Sequence, residues 1–304
     1  VSCVLPMEVL QVVADAADQP TTEPLTIAIV TEYGDGPKSS SQDIASLPAA
    51  GIRGLIRTAR IEMPGVKFIC IDTDELSGNI DRVAMEVLDE LSAADNNLEV
   101  AYRKGERWTP KLRLASKVLA KRVETEKARR ARGMALVTGG LGGLGIVTAE
   151  ALVEAGATCV VLASRSGQLK HADQGLEQRL DALRATGASV VIEKCDVGDE
   201  AQVAALLERV RTQHGPLRVV VHAAGVLDDK LMAKQDAESM RRVWAPKADG
   251  AWYLHKHTAA HDPELGAFVM YSSIASLFGN AGQANYAAAN ACMDELARWR
   301  TAQG

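Results

Sequence analysis

The run Thr138-Gly139-Gly140-Leu141-Gly142-Gly143-Leu144-Gly145 restricts this chain more than any other stretch. It stands between a short apolar segment at 134–138 and a helical stretch at 143–155. Gly140, Gly142 and Gly145 fit the pattern G-x-G-x-x-G. Between a strand and a helix, such glycines permit a tight turn. They let backbone approach a pyrophosphate, whose charge the helix N-terminus favours. A turn of this kind needs parallel strands around it, and the sequence downstream supplies them. Apolar segments at 158–163, 190–195, 218–222 and 268–272 alternate with helical stretches at 174–186, 200–212, 237–260 and 283–302. Pro246 is expected to start the second part of the third of these helical stretches. The fold class that follows is α/β, a doubly wound parallel sheet of Rossmann-like form with right-handed crossovers.

The first half repeats the alternation without the glycines. Residues 25–30 and 66–71 read as strands, 42–62 and 79–94 as helices, and 98–102 and 107–114 as further strand-like pieces. A second, smaller parallel sheet is expected there. The loop Tyr33-Gly34-Asp35-Gly36-Pro37 has no glycine triplet and reads as a surface turn. Residues 117–132 form a basic run with Glu124 and Glu126 inside it. Mixed signs and the lack of interleaved aromatics favour a solvated linker helix over a nucleic-acid patch.

Composition sets the outer limits. With 47% hydrophobic residues, wholesale disorder is excluded. A net charge of −5, from 34 basic and 39 acidic residues, does not point to nucleic acid. No uncharged apolar stretch reaches about 18 residues, so no membrane span is expected, and no signal peptide opens the sequence. Cys3, Cys70, Cys159, Cys195 and Cys292 lack zinc or redox spacing. They read as buried free thiols of the cytoplasm or another reducing intracellular compartment. The first residue is Val1 rather than Met, inside an apolar segment, so a piece of something longer is expected.

The strand ends nominate the cofactor. The second strand after the glycine turn runs into Ala163-Ser164-Arg165-Ser166-Gly167, with no acid for a ribose hydroxyl. Arg165 offers a planar fork suited to a 2′-phosphate, which favours NADPH, although an Arg there can also cap the loop. Asp196, in Cys195-Asp196-Val197, could accept from an adenine amino group or cap the next helix. His222-Ala223-Ala224-Gly225 supplies small residues against which a ring can lie. The candidate cofactor positions are therefore Thr138, Gly140, Gly142, Leu144, Gly145, Ser164, Arg165, Asp196, Val197, Ala223, Ala224 and Gly225. His255, His257 and His261 lack a third ligand and an acidic base between them, so they read as a helix face and no metal is expected.

Further on, Ser272-Ser273 ends the fifth strand of this half, and Tyr286 and Asn290 lie four residues apart on one helical face. Singly, Ser273 could be a helix-entry cap, Tyr286 a core aromatic and Asn290 a packed polar group. Together, below a dinucleotide fingerprint, they resemble the active site of short-chain dehydrogenases/reductases. Ordinary members of that superfamily place Lys where this chain has Asn290. Here the Lys lies upstream, at Lys247 in Ala245-Pro246-Lys247-Ala248-Asp249-Gly250-Ala251-Trp252. The exchange resembles the ketoreductase (KR) domain of modular type I polyketide synthases and the related fatty acid synthases. The stretches TGGLGGLG, LASRSG, CDVGD, HAAGVLDD and SSIASLFGNAGQANYAAANA are similar too. The likeness is specific over about 133–304. Over 1–115 it is looser and implies a truncated Rossmann-like structural subdomain without cofactor, joined by the linker at 116–132 to a catalytic subdomain at 133–304.

The resemblance implies an NADPH-dependent reduction of a β-ketoacyl group held through phosphopantetheine on an acyl carrier protein, beside neighbouring synthase domains. Tyr286 would deliver the proton, Ser273 would hold the ketone oxygen, Lys247 would lend positive charge and Asn290 would complete the proton path. Leu227-Asp228-Asp229 resembles the marker of the B-type, which gives the D-configured alcohol. Phe278 stands where the opposite type usually has Trp. Leu227, Asp228, Asp229 and Phe278 are thus candidates for orienting substrate, although Asp228 and Asp229 could merely cap a turn. Two other functions stay in view. An inactive scaffold is disfavoured by the complete set Lys247, Ser273, Tyr286 and Asn290. A free-standing short-chain dehydrogenase for a small alcohol is disfavoured by Asn290 and by the residues upstream. Both subdomains are expected to be incomplete, the first at its start and the second at its end, leaving a sheet edge uncovered beside the fifth strand.

Overall fold

The structure, a computed structural model, describes residues 3–17, 25–34, 47–74, 76, 78–93, 95, 97–112, 133–169 and 175–303. The expected linker at 116–132 lies outside the described residues, as do 42–46 of the expected first helix. In chain order the elements are α1 (Val4–Ala17), β1 (Leu25–Glu32), α2 (Leu47–Glu62), β2 (Val66–Thr73), α3 (Ile80–Ser92), β3 (Glu99–Arg103) and β4 (Glu106–Trp108). Then come β5 (Gly133–Thr138), α4 (Gly143–Glu154), β6 (Ala157–Ser164), α5 (Leu176–Ala185), β7 (Ser189–Lys194), α6 (Glu200–His214) and β8 (Leu217–His222). A 3-10 turn (Met232–Lys234), α7 (Ala237–Trp244), a π-helical turn (Ala245–Asp249), α8 (Gly250–His261), β9 (Ala267–Met270), α9 (Ala275–Phe278) and α10 (Ala284–Gln303) complete it. Among the described residues, no helix is long and apolar enough to cross a membrane.

By internal contacts the chain divides into two units, each discontinuous in sequence. The first comprises Val1–Arg113, Leu227–Trp244 and Ser272–Gly304, the second Leu114–Val226 and Ala245–Tyr271.

The second unit holds a five-stranded sheet in the order β7-β6-β5-β8-β9, with every neighbouring pair parallel. Its middle strands are apolar on both faces because both faces are covered by helices. Val203, Leu206 and Leu207 of α6 and Leu254 of α8 pack over Leu136 and Val161 on one face. Ile146 of α4 and Leu180 and Leu183 of α5 pack over Val137, Val160 and Leu162 on the other. Asp199 caps α6, accepting from the N–H groups of Ala201 and Gln202. Strand order reverses at β5, with β6 and β7 to one side and β8 and β9 to the other. Ligands of such sheets bind outside the carboxyl ends at that reversal. There Thr138 and His222 sit in register. Strand β9 stands at the edge, with β8 as its neighbour.

Pro246, expected to start the second part of the helical stretch, lies in a π-helical turn between the two parts, Ala245–Asp249. Without an N–H it cannot continue the α-helical ladder. The five-residue π turn absorbs the defect and leads directly into α8.

The first unit holds a four-stranded sheet, β1-β2-β3-β4. Strands β1, β2 and β3 are parallel, but β4 runs antiparallel to β3. The sheet is therefore mixed rather than purely parallel, and its last strand stops at Trp108. The cause is the two-residue turn Lys104-Gly105, both at positive φ, a hairpin geometry that can join only antiparallel neighbours. Helix α1 had no counterpart in the expected elements. It buries Met7 and Leu10 and leaves Leu5, Val9 and Val12 exposed. Helices α2 and α10 pack backbone to backbone: a Cβ at Gly54 would lie 2.4 Å from the Ala287 carbonyl oxygen. The alanines of α10 at 284, 287 and 288 are fully buried and permit that approach.

Charged side chains brace this unit. Glu99 accepts from Arg57 Nε at 2.8 Å and from Arg60 Nη1 at 2.7 Å. Asp72, fully buried, accepts from Gly34 N–H at 2.7 Å and pairs with Arg103. Burial alone would raise the Glu99 pKa, but Arg57 and Arg60 outweigh it and hold the carboxyl below its usual range.

A carboxyl depressed on folding contributes stability above its unfolded pKa, near ~4.3, and loses it as pH falls through the folded value. Glu99→Gln should lower unfolding stability at neutral pH by about 3 kcal/mol, the cost of stranding a partly buried guanidinium pair. The gap from wild type should shrink as pH drops below ~4. Urea midpoints at several pH values measure both. The glycine turn yields a second expectation. A Cβ at Gly145 would lie 2.4 Å from Gly139 O, whereas one at Gly143 would meet nothing within 4 Å. Gly145→Ala should cost about 1–3 kcal/mol by overpacking. Gly143→Ala should be neutral or stabilising by up to about 1 kcal/mol.

Candidate active site

The second unit holds a cradle and a buried lysine. Strand β5 ends at Thr138, and the chain turns sharply through Gly139, at φ +67°. A Cβ there would meet the Ala223 carbonyl oxygen at 2.7 Å, and one at Gly140 would meet Leu162 Cα at 2.8 Å. The turn is thus pressed onto both flanking strands, and the Gly140 N–H donates to Ala163 O at 3.1 Å. Its other side is open. Gly142 caps α4 without a side chain, and its nearest obstacle to a Cβ is 3.4 Å away. The first N–H groups of a helix have no partner within the helix. At the mouth of an uncluttered turn they suit a pyrophosphate, so these residues fit a dinucleotide. Leu144 is exposed beside them.

The remaining candidate positions ring the same strand ends. Ser164 Oγ accepts from Gly167 N–H at 3.1 Å and shapes the loop that carries the exposed Arg165. Asp196 folds its carboxylate onto the Gly198 N–H at 3.0 Å, and the helix cap falls to Asp199. Val197 is buried, Ala223 and Ala224 are half-buried and Gly225 is exposed. Thr138 departs from a cofactor-facing role for its side chain. It is fully buried, and its Oγ1 lies 2.7 Å from His222 Nδ1.

Lys247 sits on the π turn, 4% exposed. Its Nζ donates to the Tyr271 carbonyl at 3.2 Å. A Cβ at Gly225 would lie 3.0 Å from Lys247 Cε, so the glycine that ends the fourth strand's small-residue run admits the lysine stem. His222 belongs to the same cluster, with Nε2 3.0 Å from Lys247 O. Burial pushes its pKa down to about 4. The sequence reading passed over His222. The available signal was a polar residue closing the apolar run Val219-Val220-Val221.

The first unit holds the hydroxyls. Ser273, half-buried, accepts from Ala275 N–H at 3.2 Å and so supports the entry to α9. Tyr286 lies in the first turn of α10 and is half-buried. Asn290, fully buried, donates its amide to the Tyr286 carbonyl at 2.8 Å. Ser272 Oγ reaches the Asn290 carbonyl at 3.5 Å, which brings the serine pair against the same helix. The Leu227-Asp228-Asp229 loop is tied to the head of that helix. Asn285 Nδ2 donates to Asp228 O at 2.9 Å, and Gln283 Nε2 donates to Asp229 at 2.9 Å. Asp228 also pairs with Arg242 at 3.2 Å. Leu227 and Phe278 are exposed.

Comparison with known proteins points one way. Residues 133–304 match the family described as KR domain, and 5–112 match that described as polyketide synthase extender module SpnB, Rossmann fold domain. Over 278 residues, 91% of the chain, it is 37% identical to polyketide synthase GfsA of Streptomyces halstedii. The ketoreductase from the first module of phoslactomycin biosynthesis in Streptomyces sp. HK803 superposes with a TM-score of 0.80 at 32% identity over 98% of the chain. An A-type ketoreductase structure from a modular polyketide synthase gives 0.80 at 31% identity, also over 98% of the chain. The chain spans 3% of the GfsA sequence and 65% and 60% of those two structures. With a family match over more than half its length, the chain belongs to the ketoreductase (KR) domain family of polyketide synthases.

Proposed function

We propose that this chain reduces the β-ketone of an acyl group, presented on the phosphopantetheine arm of an acyl carrier protein, to a β-hydroxyl with NADPH. Residues 1–115 serve as the structural part and 133–304 as the catalytic part, within a synthase whose neighbouring domains supply and receive the acyl chain. The observation that carries the reading is Lys247, buried on a π turn at the reversal of a dinucleotide-type sheet, with its ammonium under the Tyr271 carbonyl. A surface lysine following a proline turn would have no such setting.

Gly140, Gly142, Leu144 and Gly145 hold the pyrophosphate, Arg165 the 2′-phosphate, and Asp196, Val197 and Ala223 to Gly225 the rings. Bound, the nicotinamide supplies a hydride for the β-carbon. Tyr286 donates a hydrogen bond to the ketone oxygen and delivers the proton. Ser273 is the second donor to that oxygen and stabilises developing alkoxide charge. Lys247 contributes an ammonium. Asn290 shapes the helix turn at Tyr286 through its bond to the Tyr286 carbonyl, and completes the path by which the Tyr286 hydroxyl regains its proton from solvent.

Product hand follows from the side on which the acyl arm enters. The anchoring of Asp228 and Asp229 to Asn285 and Gln283 supports a loop rigid enough to guide the arm beside Tyr286. With Phe278 in place of Trp, we assign the B-type outcome, a D-configured alcohol.

The test uses the intact protein with a β-ketoacyl thioester of N-acetylcysteamine, NADPH and chiral chromatography. Tyr286→Phe should lower turnover about 10²–10⁴-fold and leave NADPH affinity intact. A Phe variant as active as wild type overturns the mechanism, and a dominant L-alcohol overturns the B-type assignment alone. Arg165→Ala should weaken NADPH by about 1.5–3 kcal/mol and leave NADH nearly unchanged. Equal weakening of both cofactors in a fluorescence titration would remove Arg165 as the phosphate ligand.

A further inference from the structure

His222 closes β8 and is 1% exposed. Its two ring nitrogens are both engaged. Nε2 lies 3.0 Å from the Lys247 carbonyl oxygen and Nδ1 lies 2.7 Å from Thr138 Oγ1. A carbonyl can only accept, so Nε2 carries the proton. The neutral ring then accepts at Nδ1, and Thr138 donates. The imidazole also faces the Pro246 carbonyl, and Lys247 is the charge beside it. Burial keeps the ring neutral, with its pKa pushed down to about 4. The tautomer is therefore constant across the neutral range.

The surroundings are shaped for this ring. A Cβ at Gly250 would lie 3.2 Å from His222 Cε1 and 3.1 Å from Val197 O, so the first residue of α8 must be small. Thr138 ends β5 and pairs in register with His222. The imidazole thus joins the end of the central strand to one peptide of the π turn. That turn needs an external hold, because an extra residue breaks the regular ladder of the helix and Pro246 has no N–H to give. The peptide held is that of Lys247, whose side chain is fixed at its far end by the Tyr271 carbonyl, 3.2 Å from Nζ.

We propose that His222 is a positioning residue for Lys247: it clamps the lysine's own carbonyl to the end of β5 through Thr138, and so sets where the ammonium is presented. The positioning role rests on the function proposed above. The clamp itself does not.

The discriminating variants differ in reach. His222→Gln can put an N–H donor where Nε2 stands. His222→Asn is too short to reach the Lys247 carbonyl, and His222→Leu has no donor. In the intact protein, amide hydrogen exchange over residues 245–251 should quicken in the Asn and Leu variants and stay near wild type in the Gln variant. Turnover should fall about 10–100-fold in Asn and Leu, the scale of a misplacement near 1 Å, with NADPH affinity unchanged and most of the turnover restored in Gln. In a Lys247→Ala background the Asn substitution should cost far less than it does alone, since residues acting through one another are not additive. If the Leu variant fails to fold, the Gln and Asn pair still decides. Equal exchange in Gln and Asn overturns the clamp. An Asn penalty undiminished by Lys247→Ala overturns the positioning role. A wild-type protein that reduces no ketone overturns the proposed function and the positioning role with it, and the exchange data then decide the clamp separately.

Discussion

At the carboxyl end of β5 there is no room for a side chain at Gly139, Gly140 or Gly145. Gly139 faces the Ala223 carbonyl, Gly140 faces Leu162, and Gly145 faces Gly139 itself, each closer than a Cβ could approach. The crowding follows from three elements meeting at one point: the central strand, its two neighbours, and a helix that starts within the turn. It also creates the open mouth. Because the turn is drawn down against the sheet, the start of α4 comes forward at Gly142 and Gly143, where a Cβ would meet nothing closer than 3.4 Å.

Carboxylates in the interior of both units are met by arginine. In the first, Glu99 and Asp72 are met by guanidinium groups. Arginine suits this use because its planar fork serves several oxygens at once. Breaking such a pair leaves an uncompensated charge, which costs more than the pair contributes. In the second unit the buried Asp262 is met in the same way by Arg211, and the buried Lys247 donates to the Tyr271 carbonyl.

The run from Ala237 to His261 links these themes. It is helical throughout, but the π turn in its middle lets Lys247 leave the regular spacing. Such bulges cost ladder hydrogen bonds and recur at functional sites. In this chain the cost is offset by a histidine at the end of a neighbouring strand. Thr138, His222, Lys247 and Tyr271 come from four separate places in the second unit and form one continuous set of hydrogen bonds.

Much of this was legible beforehand. The parallel sheet, the glycine turn and nearly every helix of the second unit followed from period and punctuation, since strands buried on both faces read as apolar runs. The strands β3 and β4 were read, as 98–102 and 107–114, but not their antiparallel pairing, although Lys104-Gly105 marks it, because a strand's apolar pattern does not tell the direction of its neighbour. Helix α1 was missed because its face toward the protein holds few residues. The π turn was out of reach, because a proline announces a broken ladder without saying how the break is absorbed. By itself the sequence determined the local choices: which segments form strands or helices, where a phosphate could lie, and which residue types carry acid and charge. Only the tertiary structure decided that α2, from the first third of the chain, packs backbone to backbone against the helix of Tyr286, and that His222 turns toward Lys247. Those contacts join residues far apart in sequence, and their geometry depends on how closely two backbones approach, a quantity that no local pattern of residues encodes.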